Sequence, residues 1–307
     1  MSSFLLNAPF LLLLVLSIFP ATAVAQEEAR GISLAPLVFE LNANPGDTLS
    51  EQIRVTNRST NTIAITPEVR DFTPVGEAGE VNILEEEQAT YSLRAWTIVS
   101  PEEISLAPNE TKTMTFTIGV PRNAEPGGHY GSILASTAGT TPGGTGVAVA
   151  QKVGSLVLLR VTGEAAESLQ LREFSAPGFL EKGPVPFVIR FENIGNIHLK
   201  PAGYITVTNL WGREVARVEL EQKNVIPGSI RRLEPTWDIK GGLGRYTATL
   251  TAVYGSKQQN LSGVVTFWIF PWKVGLPVGV AGLVILIYLI RRRRRLFAAI
   301  RVLFGRS

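Results

Sequence analysis

Asn44-Pro-Gly-Asp-Thr-Leu-Ser-Glu-Gln-Ile-Arg-Val-Thr-Asn-Arg-Ser59 is the stretch from which the fold can be read. Proline second and glycine third in Asn44–Asp47 suit a type II turn. Beyond it Ile53 and Val55 alternate with Gln52, Arg54 and Thr56, the period-two pattern of a strand with one face in a core. Asn57–Asn61 then turns the chain into a second alternating strand through Ile63 and Ile65. The same unit returns in the other half as Pro186-Phe-Val-Ile-Arg-Phe-Glu-Asn-Ile-Gly195. There Val185, Phe187, Ile189 and Phe191 share a face and Asn193–Asn196 makes the turn. Two copies of a strand that ends in an asparagine-centred turn predict two sandwiches.

Outward from the first copy, Ile32–Phe39 reads as an edge strand, because Pro36 lacks the N–H that an interior ladder needs. Leu93–Val99 reads as a strand that turns Trp96 inward. Met114, Phe116, Ile118 and Val120 alternate with threonines, and Pro126-Gly-Gly128 turns the chain into Tyr130–Ser136. Thr137–Gly146 has no large side chain and predicts a flexible hairpin tip before a long strand, Val147–Val161. About seven strands in roughly 130 residues, with frequent turn signals, is a sandwich pattern.

Gly163–Ser168 marks a boundary. Past it come Leu169–Phe174, the hairpin of Tyr204–Asn209 and Glu214–Leu220 around Leu210-Trp-Gly-Arg213, a strand starting at Trp237, and Tyr246–Tyr254 alternating with threonines. The last strand, Gly263–Trp268, leads into an apolar span. The chain has no cysteine, so its stability rests on packed cores rather than disulfides.

Val274–Ile290 contains no charged residue and is followed by Arg291, Arg292, Arg293, Arg294 and Arg295. Its 17 residues rise about 25 Å, a little less than a hydrocarbon core of about 30 Å. Phe267, Trp268, Phe270 and Trp272 extend it with an aromatic belt, and Lys273 can reach outward from that level. Pro277 is expected in the first helical turn. Of 29 basic residues seven lie in Arg291–Ser307, which leaves 22 against 26 acidic ones, a charge of −4, before the tail. The basic balance therefore belongs to a cytoplasmic tail and does not signal nucleic acid. At the other end Phe10–Phe19 and Ala21–Ala25 resemble a signal-peptide core and cleavage site, although residues 1–25 hold no Lys or Arg.

The predicted fold class is all-β: two tandem immunoglobulin-like β-sandwiches followed by a single C-terminal transmembrane helix. The segments are 1–25 signal peptide, 26–163 first sandwich, 169–268 second sandwich, 269–290 aromatic belt and membrane helix, and 291–307 basic cytoplasmic tail. The expected location is a plasma membrane, crossed once, with both sandwiches outside. The predicted anchor residues are Trp268, Trp272, Lys273 and Arg291 to Arg295.

No catalytic constellation emerges. His129 and His198 fall in different halves without ligand-spaced carboxylates and read as surface or turn residues. Glu85-Glu-Glu87 reads as a solvated acidic loop. Gly241-Gly-Leu-Gly244 precedes a strand, whereas a phosphate loop needs a helix. Asp47, Asp71 and Asp238 stand singly, as turn residues do. No cofactor, metal or enzymatic activity is expected. The tripeptides at Asn57, Asn109 and Asn260 match glycosylation sequons, which matter only in a glycosylating host.

Ala43–Ser59, Asn109–Val120 and Gly127–Ser136 resemble the N-terminal domain of the WxL-interacting surface proteins of Gram-positive bacteria. That resemblance implies a peptidoglycan-binding sandwich, a second sandwich for a protein partner, one membrane helix and a basic tail. The second half, with Asn193–Asn196, Pro201, Trp211 and Trp237, is similar to the family's partner-binding domain in position and class. The function so implied is non-catalytic binding of cell-wall polymer or another surface protein. The chain also resembles periplasmic pilus chaperones, which pair two sandwiches and hold exported subunits by strand addition. Here Pro36 stands where those proteins carry an arginine, and Ser155–Val161 offers no matching lysine. The alternative function is accordingly an assembly or secretion accessory.

Overall fold

The structure, a computed structural model, describes residues 31–86, 91–137 and 151–304, with 292–304 as backbone only. The expected signal peptide, Glu87 and nearly all of the 137–146 tip lie outside the described residues.

Alternating apolar positions in the first half give eleven strands among the described residues. They are β1 (Ile32–Ala35), β2 (Val38–Ala43), β3 (Thr48–Asn57), β4 (Ile63–Arg70), β5 (Phe72–Val75), β6 (Glu80–Ile83), β7 (Thr97–Ser100), β8 (Ile104–Leu106), β9 (Thr111–Gly119), β10 (Gly127–Thr137) and β11 (Lys152–Val161). One sheet has the order β1-β3-β9-β7 and the other β2-β11-β10-β4-β8, with the hairpin β5-β6 apart from both. Ile53, Val55, Met114, Phe116 and Ile118 from one sheet meet Ile133, Ala135, Val157 and Leu159 from the other in a common core. Period-two strands supply one such row each, which is why two faces close on each other.

The expected single strand Ile32–Phe39 is two strands in different sheets. Pro36 cannot extend the ladder between β1 and β3, so the chain leaves that sheet and β2 pairs parallel with β11, Val38 opposite Leu156. Leu93–Val99 also departs from expectation. Arg94–Trp96 forms a 3-10 turn before β7, and Trp96 is half-buried with its ring 4.4 Å from that of His129. Pro126-Gly-Gly128 is a turn only at its start, because Gly127 already belongs to β10.

The second half holds β12 (Leu169–Ser175), β13 (Phe179–Leu180), β14 (Val185–Pro186), β15 (Val188–Asn193), β16 (Ala202–Asn209), β17 (Glu214–Glu219), β18 (Ile230–Leu233), β19 (Thr236–Trp237), β20 (Gly244–Tyr254) and β21 (Gln259–Ile269). Sheets β12-β15-β18 and β13-β21-β20-β16-β17 enclose a core of Phe187, Ile189, Phe191, Ile205, Leu250 and Phe267, joined by Trp237 and Tyr246. This core shares no residue with the first.

The recurrent asparagines do the same work in both halves. Asn57 and Asn193 are fully buried. The Oδ1 of Asn57 accepts the N–H of Ser59 at 2.8 Å, and that of Asn193 the N–H of Gly195 at 2.9 Å. Each Nδ2 donates to the carbonyl four residues on, Asn61 and Ile197, both at 2.8 Å. Each also crosses to a distant segment, Leu106 at the end of β8 at 3.1 Å in one case and Val225 at 2.7 Å in the other.

Two residues after β21 the chain enters α1 (Trp272–Phe304). The helix continues without a break through the arginines, so the boundary expected at 290/291 is one of composition rather than structure. Pro277 lies one turn deeper than expected, because helix begins at Trp272; its missing N–H deprives the Lys273 carbonyl of its helical donor.

Candidate functional site

The hairpin β5-β6 decides what the outer face of the first half can bind. Phe72 and Pro74 of β5 pair with Ile83 and Val81 of β6, and Gly76 and Gly79 close the turn with positive φ of 60° and 93°. The hairpin lies against the outer side of the β10-β11 sheet, where Phe72, Tyr130 and Leu158 form a small core with Val81, Ile83 and Leu156. Ile226 of the second half joins that core, so the hairpin is also the splice between halves.

Polar contacts fix the splice. Glu77, at the hairpin tip, forms a bidentate ion pair with Arg190, and its carbonyl accepts the N–H of Arg232 at 2.8 Å. The hydrogen bond from Arg190 holds the Glu77 carboxyl below its ordinary pKa. A side chain at Gly79 would occupy the space taken by the Arg231 guanidinium. Beside the hairpin, Glu40 of β2 accepts from Lys200 Nζ at 2.8 Å and from Asn224 Nδ2 at 2.6 Å. Gly128 N–H donates to the Asn196 carbonyl at 2.9 Å.

The histidines are not the surface or turn residues expected. His129 is buried against Trp96 and hydrogen-bonds the Glu125 carbonyl at 3.0 Å. His198 packs edge-on to Tyr130 at the splice, with its Nδ1 3.5 Å from the Tyr130 hydroxyl. Burial lowers the His198 pKa to about 4, with Arg160 and Lys200 adding to the shift and Glu40 opposing it. Burial also raises the Tyr130 pKa. Among the described residues no group of three or more His, Asp or Glu side chains could hold a metal.

Between the hairpin and the edge of the sheet lies an apolar groove of about 430 Å³. Leu37 and Val38 form one lip, Val81 and Ile83 the other, and Leu134 and Leu156 the floor, with Arg70, Lys152 and Glu85 at the rim. Leu37 and Val38 are 59% and 44% exposed. Gly154 opens the floor, because a Cβ there would come within 2.7 Å of Leu134. Among the described residues the lip strand β2 bonds to β11 alone in its sheet.

The anchor residues lie at the far end of the second half. Trp268 is the exposed penultimate residue of β21, and Trp272 opens α1. Lys273 pairs with Glu181 at 2.8 Å, and Phe270 N–H donates to the Leu180 carbonyl at 2.9 Å, so the helix is tied to β13. The span Trp272–Arg291 has 20 residues, a mean hydropathy of 2.2 and no burial within the chain. It is long and apolar enough to cross a membrane. Arg291 ends it, and Arg292 to Arg295 continue the helix as backbone.

No family model matches the chain, and no curated protein does. Solved structures do. The class 5 fimbriae chaperone CfaA is 16% identical over 76% of this chain and 98% of its own, at a TM-score of 0.40. The E. coli chaperone DraB is 13% identical over 78% and 98%, at 0.36. The Pseudomonas aeruginosa chaperone CupB2 is 11% identical over 74% and 97%, at 0.34.

Sequence reasoning passed over the groove. Phe72-Thr-Pro-Val-Gly-Glu-Ala-Gly-Glu-Val-Asn-Ile83 carries a hairpin signal, two short apolar pairs around two glycines, that was there to be read. The exposed lip Leu37-Val38 had no such signal, because one strand and two strands give the same local pattern.

Proposed function

We propose that the chain is a membrane-anchored, non-catalytic binding protein of two tandem immunoglobulin-like sandwiches, and that its ligand is an extended segment of another exported polypeptide. The apolar groove between β2 and the hairpin carries this reading. An extended segment laid along it sets alternate side chains on Leu134 and Leu156, between the lips. The lips and floor of the groove are Leu, Val and Ile, with Arg70, Glu85, Ser132 and Lys152 also in the lining and no aromatic ring on which a sugar face could stack. Such lips and floor suit the apolar side chains of a polypeptide better than a hydroxyl-rich polymer. This is the assembly-accessory reading, with the membrane helix added. The arginines after the span support a cytoplasmic tail with both sandwiches outside.

A photo-crosslinking residue at Val38, with Ile98 (75% exposed, in β7) as control, tests this on intact cells. Polypeptide adducts at position 38 and none at 98 are expected. Glycan adducts at 38, or equal labelling at both sites, would overturn the reading.

A further inference from the structure

The end of the second half that meets the helix exposes more apolar surface than the belt beside the span. Register places it. In the sheet β16-β20-β21, Asn209 lies opposite Tyr246, Tyr246 opposite Phe267, and Gly244 opposite Ile269. The β16-β17 tip, Leu210-Trp-Gly-Arg213, and the loop ending at Leu243 therefore emerge at the level where β21 stops, two residues before Trp272. They stand one and two strands to the side, within about 10 Å. Trp211 is 84% exposed, Leu210 63% and Leu243 69%, and Phe179, paired with Trp268 on the other side of β21, is exposed as well.

The tip is built to stay out. Asn209 Oδ1 accepts the N–H groups of Trp211 and Arg213, both at 3.0 Å. The Asn209 carbonyl accepts Gly212 N–H at 2.9 Å, and Asn209 N–H donates to the Arg213 carbonyl at 3.0 Å. Gly212 takes the positive φ of 74° that the turn requires. With the loop so held, Leu210 and Trp211 cannot fold back onto the sheet. Arg213, Lys240 and Arg245 lie at the same end, exposed and without an ion pair among the described residues. The neighbouring acids are largely engaged: Glu214 faces Arg217 at 3.6 Å and Glu181 holds Lys273, with Asp238 the remaining one.

We propose that this end is a second membrane-contact site, in which Leu210, Trp211 and Leu243 enter the headgroup region of the bilayer that α1 crosses, with Arg213, Lys240 and Arg245 against lipid phosphates. Apolar and aromatic side chains ringed by cations, on loops level with a membrane span, match the chemistry of interfacial insertion. Continuity with the span names the occupant: β21 delivers the chain to the bilayer surface, and these loops share its level. The inference rests on the membrane-span reading of α1.

The chain has no cysteine, so single cysteines report depth cleanly. Full-length protein carrying Leu210→Cys, Ile98→Cys or Leu283→Cys is labelled with a fluorophore and reconstituted into vesicles containing phosphatidylglycerol. Nitroxide lipids then quench from the headgroup or the mid-chain. The expected result is loss of emission at Leu210 with headgroup nitroxides, none at Ile98, and loss at Leu283 with mid-chain nitroxides. Quenching at Leu283 without quenching at Leu210 overturns this proposal and leaves the anchor standing. No quenching at Leu283 overturns both.

Discussion

Asn57 and Asn193 show how one residue type closes a sandwich. Each side chain makes hydrogen bonds that no apolar residue of similar size can replace, and each is fully buried. Removing the amide strands carbonyls that water cannot reach, and each such group costs roughly 1–3 kcal/mol. Asn57→Ala or Asn193→Ala should therefore lower stability by about 2–4 kcal/mol, read from urea unfolding of the full chain in detergent. A change within about 0.5 kcal/mol, the range of ordinary surface substitutions, would refute the role. The pair was legible in sequence as a recurrence. Its meaning was not, because the partners at Leu106 and Val225 lie 49 and 32 positions away. The burial of Asn57 also answers the sequon at that position, since its amide nitrogen is already committed in the folded chain.

Strands with clean alternation, such as β9 and β20, could be placed from local pattern alone, because burial of one face suffices to specify them. Elements defined by distant partners could not. Ile32–Phe39 divides because β2 finds β11 more than a hundred residues later, and β5-β6 matters through what its tip touches in the other half. The tip makes a test at this scale. Gly79 has a φ of 93° and no room for a Cβ beside Arg231. Gly79→Ala must strain the turn and displace Arg231, at a cost of about 1–3 kcal/mol. Limited proteolysis should then cut the hairpin sooner than in the parent chain. Unchanged cutting and stability would mean that the hairpin does not brace the two halves.

At the scale of the whole molecule, the halves meet through ion pairs, backbone hydrogen bonds and the packing of Tyr130, His198 and Ile226. His198 gives this junction a pH dependence. Its folded pKa of about 4 lies below the ordinary 6.5, so between those values the unfolded chain binds the proton more readily. Stability must fall as pH drops below 6.5 and stop falling on this account near pH 4. Between pH 6.5 and 5, above most carboxylate titrations, the loss comes to about 1.5 kcal/mol. His198→Gln should flatten the profile in that window, as measured by thermal unfolding. A variant that tracks the parent would remove His198 as the cause.

The direct passage from β21 through Phe270 and Pro271 into α1 has a mechanical meaning. Thirty-three residues of unbroken helix extend about 50 Å, while the oily layer takes up about 30 Å of that. Lys273, Phe270 and Glu181 bolt its upper end to the sheet. If the groove takes a ligand as proposed, a pull on it would arrive at the arginines as tilt or twist of a single rod, with little slack at the sheet to absorb it.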